Sequence, residues 1–393
     1  MRSRSLVAFT LLLAACGDGT GPGEDGAAPE SASLSAGTQL TCALDRAGRG
    51  YCWGIDARGT LGDGVIGDSA ASPRAVVGGH RFRQIAAGTT AACALTTNGE
   101  AYCWGDDTWG LLGGGGRSGT PVRILGAPAF RWIGVGAGYA CGLAADGRAW
   151  CWGRGTQLGR GDTTSSPTPA PVSATLSFRA LSTGLITACG VVDDGTTWCW
   201  GDNRYGATGG QPSTTTVVAP VSASGLPRLA TVHVGAASTC GRGTDGNGYC
   251  WGTDSFGTLG SGAVTNATSI TPVRLSIGPV IDVWPGAGNS IFAPTCALST
   301  AGEAFCWGAN TSGQLGAAAS QSCTSAALSF GCSGAPVRVS GGLRFAALTV
   351  GDEHVCGMTS ERQIYCWGEN GRGQLGTGAF ADVATPTRVL GVE

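Results

Sequence analysis

Cys93-Ala-Leu-Thr-Thr-Asn-Gly-Glu-Ala-Tyr-Cys103-Trp104-Gly105 is the stretch that decides the fold of this chain. A cysteine followed ten residues later by Cys-Trp-Gly occurs seven times, always with the same internal spacing. A constant unit joined by connections of variable length is typical of a repeat architecture. The cysteine pairs are Cys42 with Cys52, Cys93 with Cys103, Cys141 with Cys151, Cys189 with Cys199, Cys240 with Cys250, Cys296 with Cys306, and Cys356 with Cys366.

The spacing within each pair predicts a β-hairpin in which the two cysteines lie directly opposite each other. Opposing Cys93 to Cys103 leaves Thr97, Asn98 and Gly99 as a three-residue loop, a loop type that favours a left-handed glycine. Directly opposed residues on antiparallel strands lie within reach of a disulfide, so each pair is predicted to be bonded; a buried pair of free thiols is the alternative. Six repeats have glycine at this loop position: Gly48, Gly99, Gly147, Gly195, Gly246 and Gly302. The seventh repeat has Arg362 there instead.

Composition and the sequence around each hairpin predict an all-β chain. Its 393 residues include 70 glycines, which disfavour long helices because each helical glycine costs about 1 kcal/mol. An apolar stretch precedes each hairpin, and a Gly-rich segment followed by a further strand comes after it, as in Pro121-Val-Arg-Ile. Four short antiparallel strands per repeat, repeated seven times, predict a seven-bladed β-propeller. The tryptophan of each Cys-Trp-Gly is expected to pack between neighbouring blades.

The N-terminus has the features of an export signal. Arg2 and Arg4 precede an apolar run that is too short to span a bilayer, and the run ends Leu-Ala-Ala-Cys16. This ending resembles the bacterial lipobox, so we expect a signal peptide at residues 1–15 and a lipid on Cys16; an ordinary secretory signal is the alternative. Residues 16–31 are predicted to be a flexible tether, and residues 32–393 the propeller. By resemblance to Gram-negative lipoproteins, Gly17 favours the outer membrane over the inner one.

Export determines how the remaining cysteines are interpreted. The chain has 17 cysteines: Cys16, the fourteen of the repeats, and the extra pair Cys323 and Cys332. In a protein outside the cytoplasm, an even number of cysteines at constant spacing is typical of disulfide bonds. A zinc site finds no support, since no C-x-x-C motif occurs and the three histidines are scattered. We therefore expect disulfides, no metal and no cofactor.

The repeat resembles that of the regulator of chromosome condensation family, also called alpha-tubulin-suppressor-like repeats. The shared pattern is G-x-x-x-x-C-A-L-x-x-x-G-x-x-Y-C-W-G-x-N-x-x-G-Q-L-G, and the segments 354–356 and 369–376 match it closely. The resemblance covers roughly residues 31 to 391 and implies a seven-bladed propeller. The family's guanine nucleotide exchange on the nuclear GTPase Ran is not expected of an exported bacterial chain. A similar bacterial propeller, the β-lactamase inhibitor protein, uses one face to bind another protein.

Strand parity predicts the binding face. In a four-stranded meander the first and third loops emerge on one face and the tight hairpins on the other. The position five residues after each repeat tryptophan varies and lies in a long third loop, and the sixth repeat also has an extended first loop containing Phe292. Aromatic residues and arginine dominate binding hot spots; the alternative is that these side chains only cover neighbouring loops. The predicted partner-binding residues are Arg58, Trp109, Tyr205, Phe256, Phe292 and Arg372.

Enzymatic chemistry finds little support in the sequence. No nucleophile elbow, zinc-protease motif or phosphate-binding loop occurs, and two pairs of adjacent carboxylates, Asp106 with Asp107 and Asp193 with Asp194, are interpreted as solvated turns. A net charge of −2 gives no basic surface for nucleic acid. The prediction is a monomeric, non-enzymatic, envelope-anchored propeller that binds a protein. A propeller that binds or acts on envelope polysaccharide is the alternative.

Overall fold

The computed structural model describes residues 33–392 apart from 289 and 327. The expected signal peptide, the lipidation site Cys16 and the tether lie outside the described residues. Within them the regular structure is almost entirely antiparallel β-sheet, as the composition predicts. Two single-turn 3-10 helices, Gly155–Gln157 and Ser255–Gly257, occur in long third loops.

Five sheets in the described part of the chain have four strands each, hydrogen-bonded in chain order. They are β1 (Leu34–Ala36), β2 (Leu40–Leu44), β3 (Gly50–Gly54) and β4 (Ala70–Ala75); β5 (Phe82–Ala87), β6 (Ala91–Thr96), β7 (Ala101–Gly105) and β8 (Ser118–Arg123); β9 (Phe130–Val135), β10 (Tyr139–Ala144), β11 (Ala149–Gly153) and β12 (Ser166–Pro171); β13 (Phe178–Thr183), β14 (Thr187–Val192), β15 (Thr197–Asn203) and β16 (Ser213–Ser222); and β25 (Ala347–Val350), β26 (His354–Met358), β27 (Ile364–Gly368) and β28 (Val383–Arg388).

A sixth sheet of the described residues has eight strands, in the order β17-β18-β19-β20-β21-β22-β24-β23. It differs from the expected four because β20 continues without a break, pairing with β19 at its start and with β21 at its end. The additional strand β23 belongs to the insertion that carries Cys323 and Cys332. The strands are β17 (His233–Val234), β18 (Ser238–Arg242), β19 (Asn247–Thr253), β20 (Thr268–Pro285), β21 (Thr295–Ser299), β22 (Ala304–Ala309), β23 (Gln321–Ser325) and β24 (Leu328–Arg338).

The repeat hairpins have the register that the cysteine spacing predicts. Cys93 lies opposite Cys103, with their Cα atoms 4.0 Å apart and their sulfurs joined. The extra pair in the insertion, Cys323 and Cys332, is also joined, with its Cα atoms 5.8 Å apart. The other six repeat pairs lie opposite each other and are joined in the same way, each with its Cα atoms 4.1 Å apart: Cys42 to Cys52, Cys141 to Cys151, Cys189 to Cys199, Cys240 to Cys250, Cys296 to Cys306, and Cys356 to Cys366.

The glycine of the hairpin loop is needed for two reasons, which Gly99 illustrates. Its φ is 80°, in the left-handed region that glycine adopts without steric cost. A Cβ at this position would also lie 2.7 Å from the Phe130 carbonyl oxygen of the next sheet. The glycine therefore serves both the turn and the close approach of the neighbouring sheet.

The core lies between the sheets, where the disulfide of one repeat packs against the tryptophan of the next. Trp104 packs with Cys42 and Cys52, and Trp152 packs with Cys93 and Cys103. Each repeat tryptophan is fully buried and donates its Nε1 proton to a backbone carbonyl of the preceding repeat. The pairs, at 2.8–3.1 Å, are Trp53–Gln374, Trp104–Thr60, Trp152–Leu111, Trp200–Gln157, Trp251–Ala207, Trp307–Thr258 and Trp367–Gln314.

The bond from Trp53 to Gln374 joins the first repeat to the last and so closes the ring of sheets. Ala36 of β1 also donates its N–H to Thr349 Oγ1 of β25 at 2.9 Å. A central cavity of about 220 Å³ is lined by β1, β5, β9, β13, β17, the end of β20, and β25. The strand nearest the axis in each repeat is therefore the first one, as in a propeller.

Candidate functional site

An acid or amide side chain braces most of the long third loops. In each case the side-chain Oδ1 accepts the backbone N–H of the residue five positions later, which fixes the tight turn between them. The variable position lies two residues after the brace, within this turn. The braced pairs are Asp56–Leu61, Asp107–Leu112, Asn203–Thr208, Asp254–Leu259, Asn310–Leu315 and Asn370–Leu375.

These braces correct one interpretation of the sequence. Asp107 is buried and structural rather than part of a solvated acidic pair. Burial likewise raises the pKa of Asp56, the corresponding brace in the first repeat. Asp106 is partly buried and forms an ion pair with Arg58 across the boundary between two sheets, at 3.1 Å. Arg58 is therefore engaged within the protein rather than presented freely to a partner.

First and third loops of three consecutive repeats together enclose a hollow of about 190 Å³. Leu185 and Ile186 come from the loop between β13 and β14, and Tyr205 follows β15. Ile291 comes from the extended loop between β20 and β21. The structure thus brings first and third loops together on one face, as strand parity predicts. We call this hollow the docking cavity.

Two of the predicted aromatic residues are exposed on this face. Tyr205 is 41% exposed at the docking cavity, with the Arg204 guanidinium 5.8 Å from its ring centre. Trp109 is 46% exposed, and the Arg154 guanidinium lies 5.3 Å from its ring centre. The Trp109 ring also covers Gly138 of the next repeat, where a Cβ would come within 2.5 Å of it. Trp109 is therefore exposed and also covers a neighbouring loop, while its predicted role in partner binding stays a prediction.

Phe256 and Phe292 do not have the exposure expected of partner-binding residues. Phe256 is only 5% exposed and stacks on Phe292 with ring centres 5.4 Å apart. Phe330 of the insertion packs edge-on against both rings. Cys323 and Cys332 belong to the same small cluster. Phe256 and Phe292 lack this exposure because the insertion folds back over the variable position, so that the two rings pack inside it.

Arg372, the last of the predicted set, is exposed in the third loop of the last repeat. The docking cavity is lined by the fourth, fifth and sixth repeats, so Arg372 is not among its lining residues. Sequence reasoning did not single out Ile291, which is 56% exposed at the rim of the cavity. The feature of the sequence that could have indicated Ile291 is an adjacent Ile-Phe pair in a loop that is longer than its equivalents in the other repeats.

Acidic residues of the last repeat hold the loop that carries Ile291. Ser290 donates its backbone N–H to Asp352 Oδ1 and its hydroxyl to Glu353 Oε1, both at 2.7 Å. Glu353 also accepts the Thr311 hydroxyl at 2.9 Å. These bonds tie two adjacent carboxylates to one short segment, so Ile291 is presented from an anchored loop.

The docking cavity has a mixed apolar and polar lining. Its lining combines apolar side chains with hydroxyls such as Ser238 and Ser255, and Arg204 supplies a charge. Among the described residues, the lining contains no histidine or carboxylate to serve as a general base. In the part of the chain that the structure describes, no three His, Cys, Asp or Glu side chains are grouped as a metal site. No helix within the described ranges is long and apolar enough to cross a bilayer.

Family models and a curated relative support the repeat assignment. Models of the regulator of chromosome condensation (RCC1) repeat match residues 82–108 and 345–374 and, for a second model, 301–358 and 363–393. The human E3 ubiquitin-protein ligase HERC2 is 27% identical over 165 residues, which is 41% of this chain but 3% of HERC2. The chain therefore spans only a small part of that relative's length.

Solved structures show the same fold. Prp20p from Saccharomyces cerevisiae superposes with a TM-score of 0.78 at 18% identity, covering 92% of this chain and 88% of Prp20p. Human WBSCR16 superposes with a TM-score of 0.74 at 19% identity, covering 88% of this chain and 94% of WBSCR16. With the four-stranded antiparallel units, these superpositions show that the chain has a β-propeller fold, and its segments 82–108 and 301–393 match the regulator of chromosome condensation repeat.

Proposed function

We propose that this chain is a non-enzymatic scaffold that binds another protein through the docking cavity. The observation that carries the proposal is the pair of exposed side chains Tyr205 and Ile291 around a concave site whose described lining contains no histidine or carboxylate. Exposed aromatic residues beside a pocket are the usual anchors of protein interfaces. The braced loops beneath them lower the ordering cost of binding.

The size of the cavity favours a protein partner over a small substrate. Small-molecule sites usually occupy about 300–1,000 Å³, whereas the docking cavity has about 190 Å³. That volume suits one anchoring side chain of a larger partner. The study that describes Prp20p reports its binding to Gsp1p and histones, so a propeller of this fold has protein partners in at least one case.

We also propose that the ring has seven blades, spanning residues 32–393. The eight-stranded sheet then contains two blades that share the continuous strand β20. Seven tryptophan–carbonyl bonds and seven first strands around the central cavity support this count. A crystal structure of the purified protein counts the blades directly, and a ring of six or eight would contradict the proposal.

The proposed location is the bacterial cell envelope, with the propeller attached through a lipid on Cys16. Replacing Cys16 with serine is expected to release the protein from the membrane fraction or to leave it unprocessed, because no thiol remains to carry the lipid. Cell fractionation followed by mass measurement of the mature N-terminus tests this. Unchanged membrane attachment of the processed variant would contradict the lipid anchor.

Truncation of Tyr205 to alanine is expected to weaken partner binding about thirtyfold, since buried aromatic anchors commonly contribute about 2 kcal/mol or more. Ile291→Ala should act in the same direction, and the free energy of unfolding should change by no more than about 0.5 kcal/mol for exposed side chains. Binding is measured by capture of envelope proteins, identification of the captured protein, and titration of that purified partner.

Asn98→Ala is the matched control, because Asn98 is exposed in a hairpin loop on the opposite face. This variant should bind the partner as the wild type does. If Asn98→Ala weakens binding while Tyr205→Ala and Ile291→Ala do not, the face is wrong. A glycan array run in parallel tests the polysaccharide alternative, and glycan binding abolished by Tyr205→Ala would replace the protein-binding proposal.

A further inference from the structure

Four arginines line one hollow of about 340 Å³ at the hairpin-loop side of the ring, away from the docking cavity. Arg46 and Arg362 come from the hairpins of the first and last repeats, and Arg81 and Arg83 lie at the start of β5. The hollow therefore forms where the two ends of the ring meet. We call it the arginine hollow.

The positive charge of the arginine hollow is not neutralised within the described part of the chain. Asp45, the carboxylate in its described lining, is buried and already accepts the Arg49 guanidinium and the N–H groups of Ala47 and Arg49. No ion pair among the described residues involves any of the four arginines. They therefore remain available for an anionic ligand.

The hydrogen bonds of three of these arginines orient their guanidinium groups without cancelling their charge. Arg46 donates to the Glu361 carbonyl at 3.2 Å, and Arg362 donates to the Leu44 carbonyl at 3.0 Å. Arg83 donates to the Phe130 carbonyl at 2.5 Å. Backbone carbonyls are neutral, so the remaining N–H groups still favour the two-pronged contacts that guanidinium makes with phosphate oxygens.

The turn itself does not require an arginine at position 362. Its φ is 65°, a left-handed conformation in which the six equivalent hairpins have glycine. A side chain at such a φ costs roughly 1–2 kcal/mol relative to glycine. Arg362 therefore adopts a backbone conformation that arginine disfavours, and its guanidinium crosses the junction between the last and first repeats.

Ser33, the first described residue, also lines the arginine hollow. The proposed lipid on Cys16 is 17 residues away along the chain. For a chain of that length, the tether predicted from the sequence would have a root-mean-square span of about 20–25 Å. With the proposed anchor, the hollow would lie at the side of the propeller that is tethered nearest to the bilayer.

We propose that the arginine hollow binds the phosphate groups of anionic lipids at the membrane surface. The inference rests on the proposed lipid anchoring and adds an orientation to it. Phosphate contacts at this side direct the docking cavity away from the bilayer, toward a partner in solution. The net charge of −2 would not attract the whole chain to an anionic surface, so the local cluster is what supplies the attraction.

The test uses the mature chain, residues 16–393, with Cys16→Ser, so that neither a lipid nor the apolar signal segment contributes. Flotation with vesicles is carried out at about 0.1 M salt, where charges interact over about 10 Å. Phosphatidylcholine vesicles give the baseline, and vesicles with one third phosphatidylglycerol give the anionic surface. We expect stronger partitioning to the anionic vesicles. Adding Arg46→Gln and Arg81→Gln should lower that partitioning roughly 30-fold, since each arginine near an anionic surface contributes about fivefold.

Arg74→Gln with Arg117→Gln is the matched control, because both arginines are exposed elsewhere and the charge change is the same. This pair should leave partitioning within about twofold, and thermal unfolding should show that both double variants are folded. Equal losses in the two double variants, or equal binding to both vesicle types, would overturn the proposal. So would full competition by millimolar inorganic phosphate at constant ionic strength, which would mean a free phosphate site. Tyr205→Ala should bind vesicles normally, which separates this result from the docking proposal.

Discussion

Replacing Trp53 with alanine is expected to lower the free energy of unfolding by about 4 kcal/mol, in the range typical of buried aromatic truncations. Trp53 is fully buried at the junction between the first and last repeats, packed with Cys356 and Cys366. Its Nε1 donates to the Gln374 carbonyl at 2.9 Å. The variant loses both the packing that closes the ring and this hydrogen bond.

Chemical denaturation with the disulfides intact measures the effect. Trp109→Ala is the matched control, since it removes the same side chain from a half-exposed position and should cost much less, about 1 kcal/mol. Trp53→Phe should have an intermediate effect, because it keeps an aromatic ring and removes the N–H donor. If Trp53→Ala and Trp109→Ala cost the same, the ring closure does not depend on the buried tryptophan.

The second large effect that we expect is on the pH dependence of stability, and it comes from His354. The ring is fully buried, with Nε2 at 2.9 Å from Thr41 Oγ1. The Thr41 hydroxyl donates to the Gln374 carbonyl at 2.8 Å, so Nε2 must carry the proton that joins the two side chains. Nδ1 is buried without a hydrogen-bond partner in the described residues. Burial accordingly lowers the pKa of His354 to about 3.

Acid should therefore destabilise the protein in a defined window. The unfolded chain, with a histidine pKa near 6.5, binds a proton between about pH 6.5 and 3 that the folded chain does not bind. Stability consequently falls as the pH drops below about 6.5 and stops falling from this cause near pH 3. Between pH 7 and 4.5 the expected loss is about 2.5 kcal/mol.

His354→Gln isolates this contribution, because glutamine can donate to Thr41 and does not titrate. The free energy of unfolding of each protein is measured across the pH range, and the two curves are subtracted so that the shared carboxylates cancel. We expect the wild type to lose about 2.5 kcal/mol more than the variant between pH 7 and 4.5. Parallel curves would show that His354 titrates normally in the folded protein.

The strands and hairpin register follow from local sequence. The ten-residue cysteine spacing and the glycine at the third loop position are both set by contacts within one hairpin, and the structure has the register they predict. The place of each repeat tryptophan between neighbouring sheets follows in the same way, because the alternation of side chains along a strand puts Trp104 on the face opposite Cys103.

The accessibility of the variable loop position could not be predicted from the repeat pattern. Trp109, Tyr205 and Phe256 occupy equivalent positions in sequence, yet two are exposed and Phe256 is buried. The difference arises because the insertion of the sixth repeat packs Phe330 onto Phe256. That contact joins residues about seventy positions apart and has no local signature.

Local sequence thus determined the all-β fold, the hairpins with their paired cysteines, and the face on which long loops gather. Each depends on interactions within a few residues or on a strict repeat. Tertiary structure alone decided that Ile291 joins Tyr205 at one hollow, that Asp107 is a buried brace, and that Arg46, Arg81 and Arg362 converge where the ring closes. These arrangements depend on how separate repeats pack against one another, because side chains far apart in the chain meet only after the ring has formed.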